Sequence, residues 1–198
     1  MFVFPSCNVD AVTIVDVTDK TAPELISSTT YPKVRYTHQG WLTEDHNTFI
    51  FGDEFDEDDY FLETRSFVLD VGTSLRNPVY VGAKNLGYRS SDHNLYIKGK
   101  HVYEANYLAG LMVLEIGENI AAEPDLTEVA YIDIFPESDS PGYVGAWSVY
   151  PYFPSGNIVV GSTDRGLFVL KVTDDGPPRG GECEQEESRS LFSFGTKC

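Results

Sequence analysis

Short apolar runs separated by Gly, Pro, Asn and Asp dominate the chain, and helical periodicity is nearly absent. One run, mostly apolar with one charged residue near its end, recurs at residues 12–17, 66–71, 111–116 and 167–172. Measured at that charged position, the successive spacings are 54, 45 and 56 residues. A repeat of this size has room for about four short strands, which predicts the blades of a β-propeller.

The other strands of each blade are predicted by their position around this run. If strand A lies at the axis and strand D outermost, the repeated runs are strand C. Strand A is predicted at 38–43, 93–97 and 147–152, strand B at 2–5, 48–52, 101–105 and 157–161, and strand D at 24–29, 79–83 and 127–134. The prediction is therefore an all-β chain, a partial propeller of about three and a half four-stranded blades over residues 1–172.

The end of the chain has a different character. Residues 173–198 are acidic, rich in Gly and Pro at first, and show no alternation, which predicts a disordered tail. The three cysteines, Cys7, Cys183 and Cys198, lack CxxC spacing, so they do not indicate a zinc knuckle and leave the disulfide state open. Because propellers usually have about 4 to 8 blades, we expect a missing N-terminal part or a partner chain to complete the ring.

Composition changes this picture only in the choice of partners. The chain has 14 Lys and Arg against 31 Asp and Glu, a formal net charge of −17. Nucleic acid is an unsuitable partner, because phosphate binding requires clustered Lys and Arg. Divalent metals, basic proteins and amine ligands are permitted, although an acidic surface also serves solubility alone. No apolar run reaches the roughly 18 residues of a transmembrane helix.

Several longer segments resemble a known family. They are 36–45 (YTHQGWLTED), 52–54 (GDE), 92–96 (DHNLY), 104–107 (EANY), 145–151 (GAWSVYP) and 165–170 (RGLFVL). Together with the repeated runs they resemble the LVIVD-repeat proteins of the choice-of-anchor B family. That resemblance implies a propeller located outside the cytoplasm, extracellular or on the cell surface, and it implies no particular reaction.

Candidate metal ligands fall on one face of the predicted disc. His38 and His93 occupy equivalent places at the starts of successive inner strands, so their imidazoles are expected to converge at the mouth of the central channel. The neighbouring carboxylates are Asp53, Glu54 and Asp92. Imidazole with carboxylate is a donor set for Zn²⁺, Mn²⁺, Fe²⁺ or Cu²⁺. The alternative is that these histidines only hydrogen-bond the surrounding loops.

The acidic run at residues 53–59 has two interpretations. It could hold Ca²⁺ through its oxygen atoms, although it lacks the spacing of an EF-hand loop, or it could be a solvated loop. Further side chains on the same face are candidates for binding a polar ligand: Asn94, Asn106, Tyr107, Trp147 and Arg165. For the aromatic residues the alternative is packing between blades. For Arg165 it is pairing with Asp164 or Asp53.

These observations predict a binding or interaction module for a protein or a small polar ligand. The alternative is a metal-dependent hydrolase or oxidoreductase that uses His38, Glu54 and His93 as ligands and leaves a position open for water. Nucleophilic catalysis has little support, because the sequence lacks a G-x-S-x-G motif.

Overall fold

The computed structural model describes residues 10–172 and the backbone of Phe2–Val3. Within these residues the chain forms antiparallel strands and one short helix. The strands are β1 (Phe2–Val3), β2 (Val12–Asp16), β3 (Glu24–Thr29), β4 (Thr37–Leu42), β5 (Thr48–Asp53), β6 (Arg65–Asp70), β7 (Val79–Asn85), β8 (Asn94–Lys98), β9 (His101–Ala105), β10 (Leu111–Ile116), β11 (Leu126–Ile132), β12 (Ala146–Tyr150), β13 (Ile158–Ser162) and β14 (Gly166–Leu170). The helix, α1, is Asp56–Tyr60.

The strands form four sheets in which consecutive strands pair. The sheets are β1–β2–β3, β4–β5–β6–β7, β8–β9–β10–β11 and β12–β13–β14. Strand β4 contacts β8, and β8 contacts β12, so the first strand of each of the last three sheets lies on the inner side. The predicted β-propeller architecture is confirmed, with two four-stranded blades between two three-stranded ones.

The central strands read as unbroken apolar runs because a blade is covered on both faces. Successive side chains of a strand point to opposite faces. In β6, Phe67 and Leu69 therefore pack toward the first sheet, whereas Val68 packs toward the third. In β10, Leu114 packs toward the second sheet and Val113 toward the fourth. Each such fully buried side chain contributes about 1.5–3 kcal/mol to the free energy of folding.

The repeated run also carries a repeated irregularity. The strand that contains the run pairs with the next strand in the chain: β2 with β3, β6 with β7 and β10 with β11. The register of this pairing shifts between Ile14 and Val15, between Val68 and Leu69, and between Val113 and Leu114. These are equivalent positions of the run in three successive blades. A β-bulge increases local twist, so the same device turns each outer strand in the same way.

Helix α1 is a departure from the prediction. It follows β5, contains most of the acidic run, and ends at Phe61, which has a left-handed backbone (φ 58°). Asp56 and Glu57 are buried, while Asp58 and Asp59 are exposed. The run is thus only half solvated, because one face of the helical turn lies against the blades.

The last sheet and the chain ends complete the description. Strand β14 leaves Leu167 and Val169 exposed on the side where no further sheet packs within the described residues. In the described part of the chain, no helix has the length and apolar character needed to cross a bilayer. The predicted tail at 173–198 and the cysteines Cys7, Cys183 and Cys198 lie outside the described residues, so the division at residue 172 stays a prediction.

Candidate functional site

The structure brings His38, Glu54 and His93 together where the inner strands begin. His38 lies in β4, Glu54 directly follows β5, and His93 directly precedes β8. His38 Nε2 is 3.7 Å from Glu54 Oε2, and His93 Nε2 is 3.8 Å from Glu54 Oε1. Two ligands of a tetrahedral Zn²⁺ lie about 3.4 Å apart, given Zn–N and Zn–O distances near 2.1 Å. The three side chains therefore stand close to the spacing that a bound metal requires.

Backbone carbonyls orient both imidazole rings. His38 Nδ1 is 3.1 Å from the carbonyl oxygen of His93, and His93 Nδ1 hydrogen-bonds the carbonyl oxygen of Trp147. A carbonyl can only accept, so these two contacts require a proton on each Nδ1 and leave each Nε2 with its lone pair toward Glu54. The Asn94 amide nitrogen lies 2.8 Å from His93 Nδ1 and donates to the same Trp147 carbonyl. An imidazole that donates its other N–H to a carbonyl is the usual arrangement of a metal-ligating histidine. These contacts link the inner strands of three successive sheets.

Glu54 is held in place by Tyr107. The Tyr107 hydroxyl donates to Glu54 Oε1 at 2.5 Å, and the Glu54 backbone N–H donates to the Tyr36 carbonyl at 3.1 Å. Tyr107 is 1% exposed and sits at a left-handed backbone position (φ 38°) in the turn after β9. Burial and the neighbouring Glu54 raise the pKa of this phenol far above its ordinary value, so the hydroxyl remains a donor.

Burial also sets the protonation state of His93. Burial, opposed by the hydrogen bond to Trp147 and assisted by the neighbouring His38, lowers the pKa of His93 to about 4. The ring is therefore neutral at pH 7, which is the form that a metal ligand needs. The stacked His38 and His93 rings, with centroids 4.4 Å apart, keep the two lone pairs side by side.

Aromatic side chains surround the three candidate ligands. Trp147 packs on His93 with ring centroids 4.3 Å apart, and Tyr36 stacks on Phe55 at 4.5 Å. Tyr143 contacts both Phe55 and Tyr107 edge to face. Trp147 and Tyr143 remain 47% and 45% exposed, so the site opens to solvent between aromatic walls. We call this opening, formed by Tyr36, Phe55, Tyr107, Tyr143 and Trp147, the aromatic mouth.

Asp53 does not join the histidines. Its Oδ2 accepts from the Tyr31 hydroxyl and the Arg35 backbone N–H, both at 2.7 Å, and its Oδ1 accepts from the Tyr36 backbone N–H at 2.6 Å. The three hydrogen bonds to this carboxylate fix the segment that leads into β4. Because Asp53 and Glu54 are consecutive in extended chain, only one of them can face the histidines.

Asp92 lies in a second cluster. One carboxylate oxygen from each of Asp56, Glu57 and Asp92 lies within 4.8 Å of the others, and all three side chains are buried. Burial raises the pKa of Glu57 to about 12 and that of Asp56 to about 6, and it raises the pKa of Asp92 well above its ordinary value. The sequence left the acidic run open between a Ca²⁺ loop and a solvated loop, and it did not indicate that Asp56 and Glu57 would be buried beside Asp92.

Three predicted ligand-binding residues have structural partners. Asn94 donates to the Trp147 carbonyl at 2.8 Å, beside His93. Asn106 is 1% exposed and donates to Glu104, so it lies beneath the face. Arg165 pairs with Glu137 at 2.9 Å, a partner that the sequence did not indicate, and its Nε lies 3.7 Å from Asp164 Oδ2. Tyr107 and Trp147 belong to the aromatic mouth.

Other concavities lie elsewhere on the described surface. One of about 380 Å³ lies between the β4–β5 turn and the β8–β9 turn, and one of about 540 Å³ lies near Asp16, His46 and Arg76. Neither contains a group of three potential metal ligands within reach of one another, and the two such groups among the described residues are those given above. These two concavities therefore offer space for a ligand but no group of three candidate metal ligands.

No family model matches the chain, and no curated protein matches it. Similar solved structures include the periplasmic gluconolactonase PpgL of Pseudomonas aeruginosa (TM-score 0.63, 17% identity, covering 88% of this chain and 50% of that one). A protein from Lactobacillus plantarum has a TM-score of 0.66 at 17% identity, covering 89% of this chain and 52% of that one. This chain therefore spans about half the length of either structure, and at this identity the likeness shows the fold.

The resemblance to the LVIVD-repeat and choice-of-anchor B proteins is wrong, because the comparisons find those two structures and no model of that family. The repeated run has a physical origin instead. In β6 and β10 its apolar residues are buried on both faces of a blade. In the first two runs its acid accepts a backbone N–H of the following turn: Asp16 from Thr18 at 2.8 Å, and Asp70 from Gly72 at 2.9 Å. Such a run is therefore expected in any blade that has this burial and this turn.

Proposed function

We propose that His38, Glu54 and His93 bind a divalent transition-metal ion of the Zn²⁺ class, and that the ion captures a polar ligand at the aromatic mouth. The observation that carries the proposal is the orientation of both imidazoles by backbone carbonyls, with both Nε2 atoms facing Glu54. Two histidines and one carboxylate form a donor set for Zn²⁺, Fe²⁺ or Mn²⁺ that leaves coordination positions free.

The aromatic mouth supports a binding role for the free positions. A bound ion would lie beside Trp147 and Tyr143, whose exposed ring surfaces can contact the apolar body of a ligand while its polar group meets the ion. We propose a location outside the cytoplasm, in keeping with the periplasmic location stated for the Pseudomonas aeruginosa structure. The module is thus a metal-dependent receptor surface for a protein or small polar ligand.

Metal-dependent hydrolysis is the second candidate. Three protein ligands with an open position are typical of catalytic rather than structural Zn²⁺ sites, where the ion supplies an activated water. The similar fold of a gluconolactonase makes lactones and esters the first substrates to test. The binding role is favoured because Glu54, the nearest carboxylate, is already engaged by Tyr107 and would serve as a ligand, which leaves it unsuited to act as a base.

Metal analysis of the whole chain tests the proposal. Chelator-treated protein is titrated with Zn²⁺ and with Mn²⁺, and bound metal is measured after dialysis. We expect one equivalent in the wild type and its loss in His38→Ala and His93→Ala. His46→Asn is the matched control, because His46 lies on the opposite face and asparagine tolerates its left-handed backbone (φ 60°).

Two outcomes would count against the receptor. If both histidine variants keep the wild-type metal content, the site does not hold the ion. If the loaded wild type hydrolyses lactones or esters and His93→Ala does not, the protein is an enzyme, and the second candidate replaces the first.

A further inference from the structure

The second cluster of carboxylates has unsatisfied oxygen atoms in the interior. Asp56 and Glu57 are 0% exposed and Asp92 is 4% exposed. Asp56 Oδ1, both carboxylate oxygens of Glu57 and Asp92 Oδ1 have no hydrogen-bond donor among the described residues when the carboxylates are ionised, and the Asp56 and Glu57 side chains hydrogen-bond each other only through a carboxyl proton. Buried polar atoms are almost always satisfied, so four such oxygens in one cluster require an explanation. We propose that Asp56, Glu57 and Asp92 bind a calcium ion, separate from the histidine site, that fastens helix α1 to the start of β8.

The charge of the cluster matches a divalent cation. With an ion bound, the three carboxylates would be ionised and carry three negative charges, one of which Arg65 offsets through its contacts with Asp56 Oδ2, including Nε at 3.1 Å. A divalent ion would neutralise the other two, which leaves no unpaired charge in the interior.

The donor type favours Ca²⁺ over Zn²⁺, and the burial of the cluster favours Ca²⁺ over Mg²⁺. All the free donors are oxygen atoms, which hard cations select, whereas Zn²⁺ favours nitrogen and sulfur. Two oxygens on opposite sides of a Ca²⁺ ion lie up to about 4.8 Å apart at a Ca–O distance near 2.4 Å. The ligand atoms of the three residues lie within 4.8 Å of one another. Mg²⁺ requires a tighter octahedron and usually retains several waters, for which a fully buried cluster has little room.

Two neighbouring features complete the argument. A cavity of about 10 Å³, the size of about one water molecule, is lined by Asp92, Arg65 and Gly52 but by neither Asp56 nor Glu57, so it lies on the Asp92 side of the cluster. The other oxygens of two ligands are already fixed: Asp92 Oδ2 accepts the Asp53 backbone N–H at 3.0 Å, and Asp56 Oδ2 meets Arg65. The free oxygens are therefore held in place before any ion binds.

The calcium ion would act on the histidine site through the chain. Asp92 immediately precedes His93, and Asp56 follows Glu54 by two residues. Calcium would thus fix the two segments that carry Glu54 and His93. This coupling rests on the proposed function, whereas calcium binding itself does not.

Thermal unfolding of the whole chain with and without Ca²⁺ tests the inference. After chelator treatment, Ca²⁺ at about 100 times its Kd is expected to raise the wild-type Tm by about 5–10 °C. Glu57→Gln is the decisive variant, because the ionised Glu57 carboxylate accepts no hydrogen bond among the described residues and contacts only the carboxyl of Asp56. It should lose the Ca²⁺-dependent shift while having a higher Tm than the wild type in chelator, since a buried carboxyl without a donor has been removed.

Matched variants separate this site from the histidine site. Asp58→Asn makes the same change of charge at an exposed position of α1 and should keep the full Ca²⁺ shift. His38→Ala should also keep the Ca²⁺ shift even if it abolishes Zn²⁺ binding, so failure of the proposed function leaves this result readable. The inference is overturned if Ca²⁺ leaves the wild-type Tm unchanged, if Glu57→Gln retains the shift, or if Mg²⁺ gives the larger shift.

Discussion

Replacing Tyr107 by phenylalanine removes a hydroxyl that restrains Glu54. The hydroxyl donates to Glu54 Oε1 at 2.5 Å, and Tyr107 is 1% exposed, so water does not readily replace it. A hydrogen bond to a charged group contributes about 1.5–3 kcal/mol, and leaving the acceptor unsatisfied costs a similar amount. For a chain of this size, that corresponds to a decrease in Tm of about 3–12 °C.

The same substitution should weaken metal binding. Tyr107 is a positioning residue, because its hydroxyl contacts the carboxylate and its ring packs against His93 with centroids 4.7 Å apart. Loss of a partner that orients a metal ligand typically decreases affinity about 10- to 100-fold. Isothermal titration with Zn²⁺ at pH 7 measures this change directly, independently of the loss in stability.

Tyr103→Phe is the matched control for Tyr107→Phe. Tyr103 lies in β9 of the same blade, and its ring packs against the apolar cluster around Leu111. This variant should bind Zn²⁺ with wild-type affinity. If Tyr107→Phe lowers the Tm but binds Zn²⁺ as tightly as the wild type does, Tyr107 is a structural residue and the orientation argument for Glu54 fails.

Two further predictions concern the buried acids. Gly52→Ala should destabilise the fold by about 1–3 kcal/mol in urea unfolding, because an added Cβ would overlap the Asp92 carboxylate; wild-type stability would show that Asp92 can move. Burial raises the pKa of Glu104 above its ordinary value of 4.5, so the folded state holds this proton more tightly than the unfolded state does. Its stabilising contribution is therefore present at low pH and lost as the pH rises above 4.5. In Glu104→Gln the Tm should fall less between pH 4 and pH 8 than it does in the wild type. The control Glu115→Gln, at an exposed position, should follow the wild type.

The sequence by itself determined the blades and the histidine pair. Strand alternation and a repeat of about fifty residues are local properties, because burial on both faces of a blade selects the same apolar run each time. Equivalent positions in successive blades lie next to each other around the axis. The positions of His38 and His93 in the repeat were therefore sufficient to bring their side chains together.

Only the tertiary structure decided which carboxylates accompany the histidines. Nothing in the sequence distinguishes Asp53 from its neighbour Glu54 as a metal ligand. In the structure, backbone N–H groups donate to Asp53, whereas Tyr107, 53 residues away in sequence, donates to Glu54. Asp56 and Glu57 are equally unmarked within their acidic run, and they are buried because α1 turns one face toward the blades. Burial of a charged side chain depends on the elements that pack over it, and no local pattern in the chain records those contacts.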